Sequence, residues 1–428
     1  MDSGHTAWML TASALVFLMT PGLAFFYGGL VRAKNVVNTL MLSFMTIGVV
    51  TIVWTLWGYS LAYGEGELIP SFIGDFSLIG LSGIEMFSES SGSDISPLYD
   101  VLFQMMFAII TPALITGAFV ERFKFSTYLL FIVIWITVVY APVAHWVWGG
   151  GWIGADGAGA LDFAGGTVIH INAGAAAVAA AILVGRRRNP GLQSNNVPYV
   201  ILGASLLWFG WFGFNGGSAL AADDYAVNAM LVTQIAAATA ATVWGIIGLI
   251  STNKISAVGI ATGAVAGLVA ITPAAGAVNA LGALAIGGGA GVICYFAVEF
   301  IHSNKSFAVP NWIPGLGGKE CRLDLDDALD VFAVHGVGGL WGCIATGIFA
   351  IENIAGVKGL VEGSGSQLWI QIYTAVGTLA YSFVVSFAIL FILNKVPGLS
   401  LRSTESDENS GLDLSAHGEQ AFVRDGAD

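Results

Sequence analysis

The chain has 428 residues, of which 56% are hydrophobic and only 10% charged, whereas a soluble domain carries about a quarter charged residues. Such a balance excludes a soluble fold of this size. Its 57 glycines are scattered through apolar segments without a Gly-X-Y period, which excludes collagen and low-complexity readings and suits closely approaching membrane helices. The net charge of −13 comes with no basic stripe, so nucleic-acid binding is not expected. Cys294, Cys321 and Cys343 form no C-x-x-C pattern, which argues against a disulfide framework or a zinc site.

Apolar runs long enough for a hydrocarbon core of about 30 Å occur near 6–28, 38–63, 99–120, 125–147, 163–185, 198–217, 227–251, 255–272, 277–301, 327–350 and 368–394. This predicts an all-α polytopic protein with eleven transmembrane helices and its termini on opposite sides. With the N-terminus outside, the inner loops and tail hold every Lys and Arg of the fifteen except Lys358. The positive-inside rule therefore selects N-out, C-in. No basic n-region precedes the first run, so no typical secretory signal is expected. The outer loop 64–98 carries Glu65, Glu67, Asp75, Glu85, Glu89 and Asp94 without a basic residue. It either concentrates cations or simply retains acids where Lys and Arg are excluded.

Two apolar runs open alike. DFAGGTVIH (162–170) and DALDVFAVH (327–335) each place an acid eight residues before a histidine. They head the fifth and tenth runs, which predicts an inverted repeat of helices 1–5 and 6–10 with an extra C-terminal helix, an arrangement frequent in transporters. FFYGG (25–29) and GFNGG (213–217) add weaker support. At 1.5 Å per residue each histidine lies about 12 Å from its acid. Entering from opposite faces, His170 and His335 reach nearly the same depth.

A lone histidine in an apolar helix is usually a packing residue. Two at matched depth point to a cavity, because ionisable groups in hydrocarbon are costly. Neutral imidazole donates at one nitrogen and accepts at the other, so a pair can hand on a proton or a small polar molecule. Asp162 and Asp327 have the ordinary role of helix caps; Asp162, on the outer side, could also set a negative charge behind a cation. Phe103, Phe107, Trp148, Phe214 and Ser218 gather at outer helix ends. They form either an ordinary aromatic belt or a cation–π cup with a hydroxyl acceptor. His145 is a weaker candidate that could bond a nearby carbonyl, and His5, His302 and His417 belong to termini or loops.

PGLAFFYGGLVRAKN (21–35), APVAHWVWGGGW (141–152), DFAGGTVIHINAG (162–174), WFGWFGFNGGSA (208–219) and DDALDVFAVHGVGGLWG (326–342) appear in this order. With them the chain resembles the ammonium transporter family (Amt/Mep/Rh), its bacterial branch, over nearly its whole length. Ala333 and Gly216 depart from residues common in that pattern. The resemblance implies a homotrimer in the inner (cytoplasmic) membrane with one pore per subunit, which takes ammonium, or methylammonium as an analogue, and needs no cofactor. It assigns Phe103, Phe107, Trp148 and Ser218 to an external ammonium site, with Asp162 beneath it. Phe107 and Phe214 become stacked rings closing the pore, and His170 and His335 its paired histidines.

The polar stretch GLSLRSTESDENS begins a tail, 397–428, after a transmembrane domain of 1–396. Its composition predicts flexibility. GLDLSAHGEQAF (411–422) resembles the cytoplasmic tail of relatives that dock a PII-type signalling protein. Two other function classes compete with transport: an ammonium sensor that signals through a partner or fused domain, and an intramembrane enzyme, for which the sequence offers no nucleophile or metal site.

Overall fold

The computed structural model describes residues 2–64, 66–85, 97–190, 194–303, 306–308, 320–322 and 325–422. Glu65, Glu89, Asp94, Lys305, Lys319 and Arg424, used in the charge arguments above, lie outside the described residues, as do the side chains of Cys321 and Arg322. The chain is mostly helical. Among the described residues, ten helices are long and apolar enough to cross a membrane: α1 (Ser3–Leu30), α2 (Ala33–Tyr63), α3 (Leu98–Ala118), α4 (Phe125–Trp148), α5 (Gly166–Val184), α6 (Val197–Gly217), α7 (Asp224–Thr252), α9 (Ala280–His302), α10 (Phe332–Phe349) and α11 (Ser366–Lys395). An apolar eighth, α8 (Ala257–Ile271), is shorter. Every apolar run of the sequence thus forms a helix, with ends shifted by a few residues.

Helix α6 lies along α1; α2 packs on α1 and α3, as α7 packs on α6 and α8; α11 lies against α5 and α10. Small residues make the closest approaches possible, as in other membrane bundles. A Cβ added at Gly203 of α6 would stand 2.2 Å from the backbone nitrogen of Phe26 in α1. One at Gly174 of α5 would stand 2.4 Å from the Cα of Gly336 in α10. Neither helix pair could close with a larger residue there. Outward faces keep large apolar side chains exposed, such as Val227, Ile250, Leu281 and Trp369; a surface of this kind belongs in hydrocarbon.

Helix α5 starts at Gly166 rather than 163, and α10's turn at Phe332 rather than 327, because Asp162 and Asp327 stand in the preceding loops and reach into the first turn. The Asp162 carboxylate accepts from the N–H groups of Gly165, Gly166, Thr167 and Val168 at 2.7–3.3 Å. Asp327 accepts from Val331 at 3.0 Å and Phe332 at 2.7 Å. Each satisfies N–H groups that a helix start leaves unpaired. Both first turns are π-helical, Gly166–Ile171 and Phe332–Gly336, and each carries its histidine. Such turns are rare and recur at functional sites.

The stretch 398–410 is not the flexible segment that its composition predicts. Ser403 N–H donates to the Arg122 carbonyl at 2.9 Å, and Lys124 N–H to that of Leu401 at 2.8 Å. Arg402 grips Glu408 at 2.6 and 2.9 Å and donates to the carbonyl of Arg186 at 2.9 Å. A helix α12 (Glu405–Ser410) opens with a capping box between Thr404 and Asp407. The Lys34 ammonium donates to the carbonyls of Glu408 and Asn409 at 2.8 and 2.6 Å. The polar residues that read as solvated are bonded to helix ends and to one another.

Candidate functional site

The site is built from one end of the bundle inward. At the C-terminus of α4, the Trp148 indole donates to the Asp162 carbonyl at 3.0 Å, which ties this half-buried ring to the loop that enters α5. Helix α3 presents Phe103 and Phe107 one turn apart, with centroids 4.7 Å apart and rings edge to face at 81°. Phe107 lies 6.1 Å from Trp148. Helix α6 closes the other side: a Cβ at Gly217 would stand 2.7 Å from the Phe103 ring, and the next residue, Ser218, is half-buried. The Ser218 hydroxyl donates to the Phe214 carbonyl at 2.8 Å, so its oxygen lone pairs stay free to accept. The structure thus brings Phe103, Phe107 and Trp148 together, with Ser218 one residue beyond the Gly217–Phe103 approach.

Phe107 and Phe214 meet below it. Their centroids are 4.5 Å apart at 79°, an edge-to-face contact rather than the stack implied by the resemblance. The positive edge of one ring against the negative face of the other is a favoured aromatic geometry. Both rings are about 1% exposed, so the way past them is shut in this conformation.

Beneath these rings, the Nδ1 atoms of His170 and His335 are 3.1 Å apart. The rings lie nearly parallel at 22°. His170 also stacks on Trp211 at 5.4 Å and 19°, and Trp211 in turn donates to the Thr272 hydroxyl at 2.8 Å. The pair borders a cavity of about 10 Å³ whose other walls are Met19, Leu23, Phe26, Ile110, Leu114, Ile169, Leu207 and Val265 with the rings of Trp211 and Phe214. That volume is close to what one water-sized molecule requires. His170 Nε2 is buried and has no protein partner, so it is left to bond whatever occupies the cavity.

Trp211 and Thr272 were not among the sequence candidates. Trp211 precedes Phe214 by three residues, which puts both on one helical face; that spacing was the available signal. Asp162 lies at the base of the Trp148 end, but its carboxylate is 7% exposed and occupied by four N–H groups. It shapes the site by holding α5's first turn and the loop that Trp148 grips. His145 bonds the Ala62 carbonyl at 3.0 Å, and its other nitrogen faces Glu67 at 3.4 Å. No group of His, Cys, Asp and Glu that could hold a metal occurs among the described residues, and Cys294 and Cys343 are free and buried.

At the opposite end, around the tail, charged side chains are buried in a connected set. Arg122 is fully buried and donates to the carbonyls of Gly185 and Asp326 at 2.7 Å each. Arg187 clasps the Asp326 carboxylate at 2.8 and 3.0 Å. Burial pushes the Asp326 carboxyl up, but the Arg187 hydrogen bonds and the Arg122 charge outweigh it and hold it below the usual range. Beside them opens a vestibule of about 410 Å³, lined in part by His302, Asp327 and Asp330.

A bundle of lipid-facing helices around a narrow aromatic and histidine-lined passage is the build of a multi-pass membrane transporter. The model of the Ammonium Transporter Family matches residues 7–422. An ammonium transporter of Aquifex aeolicus is 48% identical over 427 residues, covering 99% of this chain and 94% of that protein. The chain belongs to the Ammonium Transporter Family, whose members are membrane transporters or channels for ammonium and not enzymes. Among solved structures, Candida albicans Mep2 superposes with a TM-score of 0.84 at 34% identity, over 95% of this chain and 88% of that one. A chain described as a Sensor Amt Protein does so at 0.84 and 29% identity, over 97% and 98%.

Proposed function

We propose that the chain recognises ammonium at the Phe103, Phe107, Trp148 and Ser218 site, removes its proton, and passes ammonia beyond the Phe107–Phe214 gate and along His170 and His335. The observation that carries this reading is a hydrogen-bonded pair of imidazoles inside an otherwise apolar cavity the size of one small molecule. Ammonium and potassium are similar in size, so a pore sized for one would leak the other. Ammonium can donate hydrogen bonds and lose a proton; potassium can do neither. Aromatic faces and a hydroxyl acceptor favour the cation at the mouth, and the apolar passage makes entry as a bare ion expensive. Ammonia crosses, and its proton either stays behind or follows through the imidazoles.

The same reading sets the Trp148 end outside and the tail inside the inner membrane, with 1–396 as transport domain and 397–428 as regulatory tail. The Lys and Arg bias supports it. Matching Asp–His spacings, the two π-helical turns and the like packing around α1 and α6 support an inverted repeat of five helices. A homotrimer, and a PII-type partner at the tail, follow from the family resemblance. Deleting 411–428, a segment whose last residues lie outside the described ones, abolishes capture of such a partner and leaves the pore folded; retained capture removes that assignment.

A second reading, an ammonium sensor, draws on the likeness to the Sensor Amt Protein. Currents on a solid-supported membrane separate the two. Transport of net charge gives a decay that shortens as protein density rises, and conduction of neutral ammonia gives a protein-dependent pH change without sustained current. A current whose decay ignores density, with no pH change, means binding alone and favours the sensor.

A further inference from the structure

His302 closes α9 and Asp330 stands in the loop before α10; between them Nε2 and Oδ1 lie only 2.6 Å apart. They come from segments 28 residues apart in the chain and meet in the wall of the 410 Å³ vestibule at the tail end. Three features mark the pair as more than a surface contact. Asp330 adopts φ +63, a left-handed conformation uncommon for a residue with a side chain, and such outliers gather at functional sites. Its carbonyl accepts from Val334 N–H at 2.9 Å, so the same residue anchors the turn that carries His335. That histidine lies five residues further on, about 7 Å along the helix axis.

Among the described residues, three other charged groups at the vestibule are committed elsewhere. Asp327 holds the N–H groups of Val331 and Phe332. Asp326 holds Arg187, and Arg187 also reaches Glu121 at 3.4 Å. Arg186 lines the vestibule as well. Among the described residues lining the vestibule, His302 is the histidine, with an acceptor on one side and a side chain 49% exposed.

We infer that the His302–Asp330 pair is the proton donor that converts emerging ammonia back to ammonium at the inner mouth. The step rests on the transport reading above. The Nδ1–H bond of the imidazolium breaks, an N–H bond forms on ammonia, and neutral imidazole remains with its Nε2–H on the Asp330 carboxylate. A proton from the histidine relay or from the cytosol then restores the imidazolium. Trapping the product as a cation keeps it from diffusing back through an apolar passage, where a charge is unwelcome.

The test is uptake of labelled methylammonium into proteoliposomes, at several lumenal pH values, by the wild type, His302→Gln and Asp330→Asn. His302 is exposed, so its replacement leaves the fold intact; Asp330→Asn keeps the size and a hydrogen bond but removes the charge. The expected result is initial uptake lower by about threefold or more in both, a flattened dependence on lumenal pH, and an unchanged external half-saturation. Wild-type uptake and lumenal pH dependence in both variants would overturn the role. So would a loss accompanied by a changed half-saturation, which marks a structural defect. Absence of uptake by the wild type is a separate outcome: it removes the transport reading, and the pair's role with it.

Discussion

His170 and His335 share a hydrogen bond between like atoms, Nδ1 to Nδ1, at 3.1 Å. Only one of the two nitrogens can carry the proton, so the rings necessarily differ in tautomer. If His170 accepts, its buried Nε2 bears hydrogen and donates into the cavity; if His170 donates, that Nε2 accepts. Switching one arrangement into the other takes a proton shift between the Nδ1 atoms together with loss of a proton at the Nε2 of the accepting ring and gain of one at the Nε2 of the donating ring, so a net proton passes along the pair as a relay requires.

Trp211 fixes the His170 ring from behind, and its own orientation depends on Thr272. Trp211→Phe keeps an aromatic surface but loses that hydrogen bond, at a cost of about 1 kcal/mol in stability. Flux should fall several-fold while ammonium half-saturation at the outer site stays the same. Parallel measurement of both parameters checks this; equal change in each would place Trp211 in recognition instead.

Trp148→Leu removes one aromatic face from the mouth, a contact worth about 0.5–2 kcal/mol. Competition between ammonium, methylammonium and unrelated cations should become less discriminating, by up to roughly thirtyfold in relative half-saturation. An unchanged competition profile removes the aromatic site from recognition.

Asp162→Ala leaves four buried N–H groups without an acceptor. Loss of a cap alone costs about 0.5–2 kcal/mol, so this variant should melt several degrees lower and yield less folded protein. Asp162→Asn keeps one oxygen acceptor and should recover most of the stability but not the full transport rate. Equal thermal stability and transport in all three proteins would contradict the capping role.

Asp162, His170, Asp327 and His335 were legible because each breaks or heads a long apolar run, where any polar residue is conspicuous. Trp211 was not, since a tryptophan in an apolar helix looks like any other core or lipid-facing ring until its stack on His170 is seen. The π-helical turns have no signature in the residues beyond the unusual place of the histidines. The tail misled for a different reason. Its Arg402 and Glu408 read as solvated charges, but Arg402 donates both to the Glu408 carboxylate and to the carbonyls of Val184 and Arg186 where α5 ends, and such long-range pairing leaves no periodicity to detect.

Acidity should loosen the tail through His417. Its Nε2 lies 3.1 Å from the Asn38 amide nitrogen, which can donate only to a neutral ring. Burial pulls His417 below its ordinary value of 6.5, and the nearby Asp413 and Glu419 offset this only in part. A base with a lowered value stabilises the docked form above 6.5 and loses that contribution as pH falls through the lowered value. Asp413, which burial pushes up from 3.8, acts in the opposite sense, because acid relieves its burial. Proteolysis of the tail should therefore accelerate as pH drops from 7 to about 5.5, and His417→Gln should abolish the change. An identical pH profile in that variant would exclude His417 as its source.

The most direct measurement is ammonium-driven flux through proteoliposomes containing the wild type or the His170→Ala, His335→Ala double variant, followed by both current and lumenal pH. The histidine passage predicts clear flux in the wild type and a loss or rerouting of about tenfold or more in the variant, with the protein folded and ammonium still bound at its outer site. A double variant that conducts with the wild-type rate, pH response and selectivity would contradict it.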